Sequence, residues 1–274
     1  MKPSLLVAAA QMTSVDSWEK NLESISRLAK EACREEDTDI VFFPENSLYM
    51  RLDPNDEFPG FNLEHQSFAD LKSLANQLGC AIVLGSVLTR AKLKPFNSTV
   101  VIEPDQSPRL LYNKIHLFDV QVDADHKIQE SKNCQHGSEP AIWEYEGWKF
   151  GLSICYDLRF SELYSQYARS KVDVICVPSA FTVPTGRAHW EILLRARAIE
   201  SQVYLVAPAQ WGGHVGKSGV QRETYGHSLL IGPWGEKLGE LGEGEGVIRS
   251  TLLREKITRV RQQIPMEQHR RLTL

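Results

Sequence analysis

The sequence has no apolar run long enough to cross a bilayer. Ser4 to Ala10 is apolar, but Gln11 cuts it short, and no basic leader with a cleavage site frames it. No membrane role is expected, and a cytoplasmic location is. Cysteine is sparse and odd in number: Cys33, Cys80, Cys134, Cys155 and Cys176 are scattered, which opposes a disulfide framework and favours reduced thiols. Positive charge is not in excess. With 31 Lys and Arg against 35 Asp and Glu, a net charge of −4, nothing favours a nucleic-acid partner. His-Glu-x-x-His and Cys-x-x-Cys are both missing, although His189 with Glu191, and His214 with His227, invite a metal reading. No metal and no cofactor are expected. Gly-x-Ser-x-Gly is absent too, against a serine hydrolase. Gly235, Gly239, Gly242, Gly244 and Gly246 lack the Gly-Lys-Ser/Thr of a phosphate loop and read as turns between late strands. No linker or internal repeat divides the chain.

What remains is an ordinary soluble composition, 42% hydrophobic and 24% charged over 274 residues. A chain of this length buries roughly 75% of its unfolded surface, so residues 1–274 are read as one domain. Short apolar runs alternate with amphipathic stretches. Leu5–Ala10, Asp39–Phe43, Ala81–Leu88, Ser98–Ile102, Arg109–Lys114, Val172–Val177, Val203–Ala207, His227–Ile231 and Val247–Ser250 read as strands. Ala141–Tyr145 and Lys149–Cys155 flank Glu146-Gly147 as a hairpin. Helical spacing joins Trp18, Leu22, Ile25, Leu28, Ala29 and Ala32, behind a capping box of Asp16 and Glu19. It also joins Phe68, Leu71, Leu74, Ala75 and Leu78 before a Gly79 cap, then Leu163, Tyr164, Tyr167 and Ala168, and finally Ala188–Ser201. The tail from about 255 to 274 shows no core pattern and is expected to pack on a partner subunit. Such mixing predicts an α/β fold with helices outside sheets.

Three polar residues stand where predicted strands stop: Glu45, Lys114 and Cys155. Carboxyl ends of strands are where α/β sheets build ligand sites. A free thiol titrates near 8.5, so only a few per cent is thiolate at neutral pH and the nucleophile needs a base. A carboxylate accepts the proton, and an ammonium with the backbone N–H of Tyr156 holds an acyl oxyanion. Taken singly, each residue reads as a solvated end or a buried thiol. Asp157 and Arg159 read as an ion pair fixing the loop. Arg197 with Glu200 suits an i,i+3 pair.

The blocks Phe-Phe-Pro-Glu-Asn (42–46), Tyr-Asn-Lys-Ile-His-Leu-Phe-Asp (112–119) and Gly-Leu-Ser-Ile-Cys-Tyr-Asp-Leu-Arg-Phe (151–160) resemble the nitrilase superfamily of carbon–nitrogen hydrolases. The resemblance runs in order from Gln11 to Gln263-Ile264-Pro265. It implies a four-layer α-β-β-α sandwich, a dimer or larger assembly of identical chains, and a small amide as substrate. It also implies roles: Glu45 as general base, Lys114 as oxyanion stabiliser and proton donor, Cys155 as nucleophile. Glu130, in Gln-Glu-Ser-Lys (129–132), matches a second glutamate that orients Lys114 or the scissile nitrogen. Residues 179–191, 193–200, 209–212 and 225–228 look like the deaminated-glutathione amidases and the neighbouring ω-amidases, with His-Arg-Arg (269–271) leaning to the former. Both acyl halves carry a carboxylate, for which Arg187 in the loop before Ala188–Ser201 is named, with Phe181 and Thr182 lining the pocket. Trp211 and His214 lie in a segment that departs from the pattern. A non-catalytic scaffold on the same fold is the alternative of another class; the presence of all three reactive residues weighs against it.

Overall fold

The computed structural model describes residues 2–53, 55–121 and 127–272. The first half of the chain runs β1 (Ser4–Gln11), α1 (Trp18–Ala32), β2 (Ile40–Phe43), α2 (Gln66–Leu78), β3 (Ala81–Thr89), β4 (Phe96–Ile102) and β5 (Arg109–Asn113), then the short pair β6 (Asp119–Gln121) and β7 (Lys127–Gln129). The second half runs β8 (Ala141–Tyr145), β9 (Trp148–Leu152), α3 (Ser161–Arg169), β10 (Val174–Cys176), α4 (Val183–Ser201) and β11 (Tyr204–Ala207). A hairpin of β12 (Trp211–Val215) and β13 (Gln221–Tyr225) follows. The chain then closes with β14 (Leu229–Ile231), β15 (Lys237–Glu240), β16 (Gly246–Leu253), α5 (Arg254–Gln263) and α6 (Met266–His269).

Two six-stranded sheets carry the fold, in the orders β16-β1-β2-β3-β4-β5 and β15-β14-β11-β10-β9-β8. In each, three parallel strands (β1-β2-β3, β9-β10-β11) are flanked by antiparallel ones. The halves therefore repeat in structure, although the sequence shows no repeat. Side chains alternate across a strand, and here both faces are apolar. Leu5, Val7 and Ala9 of β1, with Phe42 and Val83, meet Phe150, Leu152, Ile175 and Val206 between the sheets. Ala8, Ala10, Val41, Phe43, Ile82 and Leu84 face outward onto Ile25, Leu28 and Ala29 of α1 and Phe68, Leu71 and Ala75 of α2. Leu163 and Tyr167 of α3 and Trp190, Leu194 and Ala198 of α4 pack in the core of the second sheet. The order of layers is α-β-β-α.

The two sheets meet near the ends of β2 and β10. Gly85 of β3 lies so near Phe43 O and Pro178 that a Cβ there would come within 2.1 Å of each. Only glycine fits, and this contact brings the ends of the two parallel sets together.

Several local expectations change. α1 starts at Trp18, so no Asp16–Glu19 box forms: Asp16 Oδ2 instead accepts Lys217 N at 2.8 Å, and Ser17 Oγ donates to Glu19. α2 does end on a left-handed Gly79, and Glu146-Gly147 does turn the β8–β9 hairpin with positive φ. Within the chain, part of the tail is also docked, which leaves the expected partner contact untouched. Ile257 and Val260 of α5 are buried, Arg261 Nη2 donates to Val172 O at 2.6 Å, and Gln202 Nε2 donates to Ile264 O at 2.7 Å. Residues 273 and 274 lie outside the described residues. No described helix is long and apolar enough to cross a membrane.

Candidate active site

Each of the three residues follows a strand of the layered pair. Glu45 comes after β2 through Pro44, and Lys114 directly follows β5. Cys155 does not end a strand as expected. β9 stops at Leu152, and Cys155 opens a 3-10 turn over Cys155–Arg159 with φ 50°. A left-handed conformation at a residue with a Cβ stores roughly 1–3 kcal/mol of strain. The surroundings hold it there: Cys155 N donates to Pro178 O at 2.9 Å, and Asp157 Oδ2 accepts Ile154 N at 2.9 Å.

The side chains converge. Lys114 Nζ donates to Glu45 Oε1 and to Glu130 Oε2, both at 2.8 Å. Lys114 is 2% exposed, Glu45 4% and Cys155 7%. Burial alone would push the Glu45 carboxyl up, but the charge and hydrogen bond of Lys114 more than offset it, so Glu45 titrates below its ordinary range. Burial would strip the Lys114 proton; Glu130 and Glu45 outweigh it and hold the ammonium well above its usual value. Cys155 is pushed well up, first by burial and then by the facing Glu45 carboxylate, with Lys114 and the Ala180 N–H opposing. The resting cluster is therefore thiol, carboxylate and ammonium. A thiol beside an ionised carboxylate can transfer its proton only as the sulfur bonds to something else.

Four groups hold this cluster, none of them assigned that role from the sequence; His214 stands out there only for a metal reading and a departing segment. Asn97, at the start of β4, donates Nδ2 to Glu45 Oε1 at 3.0 Å and to Glu130 Oε1 at 3.1 Å, while its own carbonyl accepts Lys114 N at 2.8 Å. Phe118 N donates to Glu130 Oε2 at 2.7 Å. Gln210 Nε2 donates to Glu45 O at 2.9 Å and to Ser14 Oγ at 2.6 Å. His214 Nδ1 lies 2.7 Å from Ser14 O, and burial depresses its pKa to about 4, so it is a neutral donor tying the β12–β13 hairpin to this shell. Replacing Asn97 by leucine is expected to lower kcat by about 10²-fold with KM little changed, because the carboxylates lose their common donor. Losing a donor to the ionised form raises the Glu45 pKa. The acid limb of the kcat/KM profile should then move to higher pH, which a purely structural defect would not produce.

Asp157 and Arg159 do not pair. Asp157 is fully buried and accepts from Tyr112 Oη at 2.7 Å, His116 N at 3.0 Å and Ile154 N, with His116 Nδ1 at 2.7 Å. It joins the turn carrying Cys155 to the segment carrying Lys114. Arg159 turns the other way, its guanidinium 5.8 Å from the Tyr156 ring centroid and 5.6 Å from that of Phe181, with His189 Nδ1 at 3.3 Å. The Tyr156 ring packs edge-on against Phe118 and Phe160. Phe181 is mostly core, 4.9 Å from Trp190, but adjoins Ala180 and thus the sulfur. Thr182 is the N-cap residue of α4, with its hydroxyl 2.8 Å from Thr185 Oγ1. Arg187 is inside α4, not in a loop before it, and is exposed. A cation nearer the cluster is Arg222 of β13, which donates to Ala180 O at 3.2 Å and whose charge helps depress Glu45. Arg197 and Glu200 do form their i,i+3 pair, at 2.9 Å. Among the described residues, no three His, Cys, Asp or Glu side chains gather as a metal-binding group.

A four-layer α-β-β-α fold whose strand ends gather a thiol, two carboxylates and an ammonium is the architecture of nitrilase-superfamily proteins. Residues 6–262 match the family described as Carbon-nitrogen hydrolase, and the chain belongs to that family and is a hydrolase acting on amides. It is 35% identical over 275 residues to the deaminated glutathione amidase of Synechocystis sp., covering 98% of this chain and 99% of that one. It is also 35% identical to omega-amidase NIT2 of Xenopus tropicalis, covering 92% and 90%. Among solved structures, Saccharomyces cerevisiae Nit3, a member of branch 10 of the nitrilase superfamily, superposes with a TM-score of 0.83 at 28% identity, covering 99% and 98%.

Proposed function

We propose that the protein hydrolyses a small carboxylated amide through a thioester on Cys155, and that its substrate is deaminated glutathione. The observation that carries the mechanism is the buried Lys114 ammonium clamped between Glu45 and Glu130, with the Cys155 thiol facing Glu45. As the sulfur adds to the amide carbonyl, Glu45 takes the thiol proton. Lys114 and the Tyr156 N–H stabilise the oxyanion, a contribution of about 10²–10³ per donor. Glu45 then returns the proton to the leaving nitrogen as the C–N bond breaks. Water, deprotonated by Glu45, cleaves the thioester and releases 2-oxoglutarate, with cysteinylglycine as the amine product. Glu130 and Asn97 keep Lys114 and Glu45 in register throughout.

The substrate assignment rests on the relatives' names and on a cation beside the site. Arg222 is the residue we assign to the substrate carboxylate, in place of Arg187. The ω-amidase reading shares the same acyl group and differs only in losing ammonia. Supplying deaminated glutathione and 2-oxoglutaramate separately and comparing kcat/KM decides between them. A preference of at least tenfold for the first is expected. A preference for 2-oxoglutaramate would replace the substrate, and turnover of neither would defeat the carboxylated-amide class while leaving the amidase intact.

A further inference from the structure

At the other end of β2 from Glu45, two further thiols meet. Cys33 caps the C-terminus of α1, and Cys80 lies between the left-handed Gly79 that ends α2 and the start of β3. They are 47 residues apart in the chain, yet their sulfur atoms are 3.5 Å apart. Cys80 is fully buried in the core between helices and sheet, whereas Cys33 is half-buried and open to solvent on one side. The surroundings favour a Cys33 thiolate: the Cys80 thiol hydrogen-bonds to it, outweighing the opposing burial, and the Arg249 charge stabilises it, while Asp37 opposes. Arg249 is fixed there by bonds to Ala32 O at 3.4 Å and Glu35 Oε2 at 3.3 Å. Conversely, Cys80 is held as the thiol, by its bond to Cys33 and by burial. A solvent-reachable, acidified thiol with a second thiol in contact is the arrangement of an attacking and a resolving cysteine.

We infer that Cys33 and Cys80 form a hydroperoxide-oxidisable dithiol, a modification site separate from the amidase centre, which closes to a disulfide tying α1 to the start of β3. Cys33 sulfur attacks the terminal oxygen of a hydroperoxide. The O–O bond breaks, the remaining oxygen leaves with a proton as an alcohol (water, for hydrogen peroxide), and Cys33 becomes the sulfenic acid. Cys80 sulfur then attacks Cys33 sulfur, and the hydroxyl departs with the Cys80 proton as water. Two thiols lose two electrons, and the peroxide gains them. The sulfurs, 3.5 Å apart, need to close by about 1.5 Å to reach bonding distance, whereas Cys134 and Cys176, each buried, have no such partner among the hydrogen bonds described.

The test is a peptide map. The full-length C155A chain, freed of the other expected reactive thiol, is treated with stoichiometric hydrogen peroxide, alkylated under denaturing conditions and digested without reductant. The Cys33 and Cys80 peptides should emerge joined, lighter than their sum by two hydrogens, with neither thiol alkylated; reductant should restore both. In C80S the linkage should vanish and Cys33 should be trapped by dimedone as the sulfenic acid. The wild-type chain, mapped in parallel, should give the same linkage. Alkylation of both thiols after peroxide, or a Cys33–Cys33 link between chains, overturns the inference. Since the map is read without Cys155, its failure says nothing against the amidase reading.

Discussion

Replacing Cys155 with alanine is expected to lower kcat on the amide substrate by about 10⁴–10⁶-fold while the folded state survives. The size follows from the chemistry. Without sulfur no thioester forms, and Glu45 with Lys114 can only assist direct attack by water. The survival follows from the packing: the Cys155 N–H to Pro178 O bond and the Asp157 bonds to Ile154, Tyr112 and His116 do not involve the side chain removed. Alanine meets the same φ of 50° as cysteine did, so the backbone strain is unchanged. A progress-curve assay beside a thermal melt checks both halves. Retained turnover in a variant with unchanged melting would falsify the nucleophile assignment.

Much of the fold was legible because its buried strands are short apolar runs bounded by turn residues, and because α1 and α2 keep strict helical spacing. The parts that were not legible share physical reasons. The predicted helix over Ala188–Ser201 starts five residues earlier, at Val183, in α4. Pro184 lies in that added first turn, where proline forfeits no hydrogen bond. Gly186 is there because the Tyr225 ring lies where a Cβ would go, 2.2 Å away. The β12–β13 hairpin was hidden by Gly212, Gly213, Gly216 and Gly219, which break any apolar alternation. In α5 the flanking Arg and Gln residues masked Ile257 and Val260, an i,i+3 pair sufficient to dock one face. At the site, Glu45, Lys114 and Cys155 drew notice at predicted strand ends, and the resemblance supplied their roles and Glu130. Asn97 was invisible because an amide at the start of a strand has no signature of its own; its importance is purely positional. Proximity in sequence suggests a pair of Asp157 and Arg159, but two residues apart on a tight turn they face different ways. Each then found partners far along the chain.

Lys114→Met should cause the largest combined loss, and its pH dependence separates chemistry from stability. Methionine fills much of the same space but leaves the Glu45 and Glu130 carboxylates facing each other with only Asn97 Nδ2 between them. Removing one partner of a buried ionic group costs about 3–5 kcal/mol, and losing the oxyanion donor we propose in Lys114 is expected to cost about 10²–10³ in kcat. In the wild type Glu45 titrates below its unfolded value, so its contribution to stability is present above the ordinary carboxylate range and is lost as pH falls through the folded value. In Lys114→Met the burial that raises Glu45 loses its largest opponent, with only the Cys155 hydrogen bond, the Arg222 charge and the Asn97 donor left against it, so its folded value is expected to lie above the unfolded one. Stability is then greatest below the ordinary carboxylate range and falls as pH rises through it. Urea midpoints measured from pH 2 to 8 should therefore rise with pH below the ordinary carboxylate range in the wild type and fall with pH above it in Lys114→Met. Adding Glu130→Gln to Lys114→Met removes one of the facing charges and should recover most of the neutral-pH stability without recovering turnover. Parallel slopes for wild type and Lys114→Met would mean that Glu45 does not depend on the lysine for its charge. A stable but inactive double variant would instead mean that the buried ammonium is retained for the reaction, since the fold can do without it.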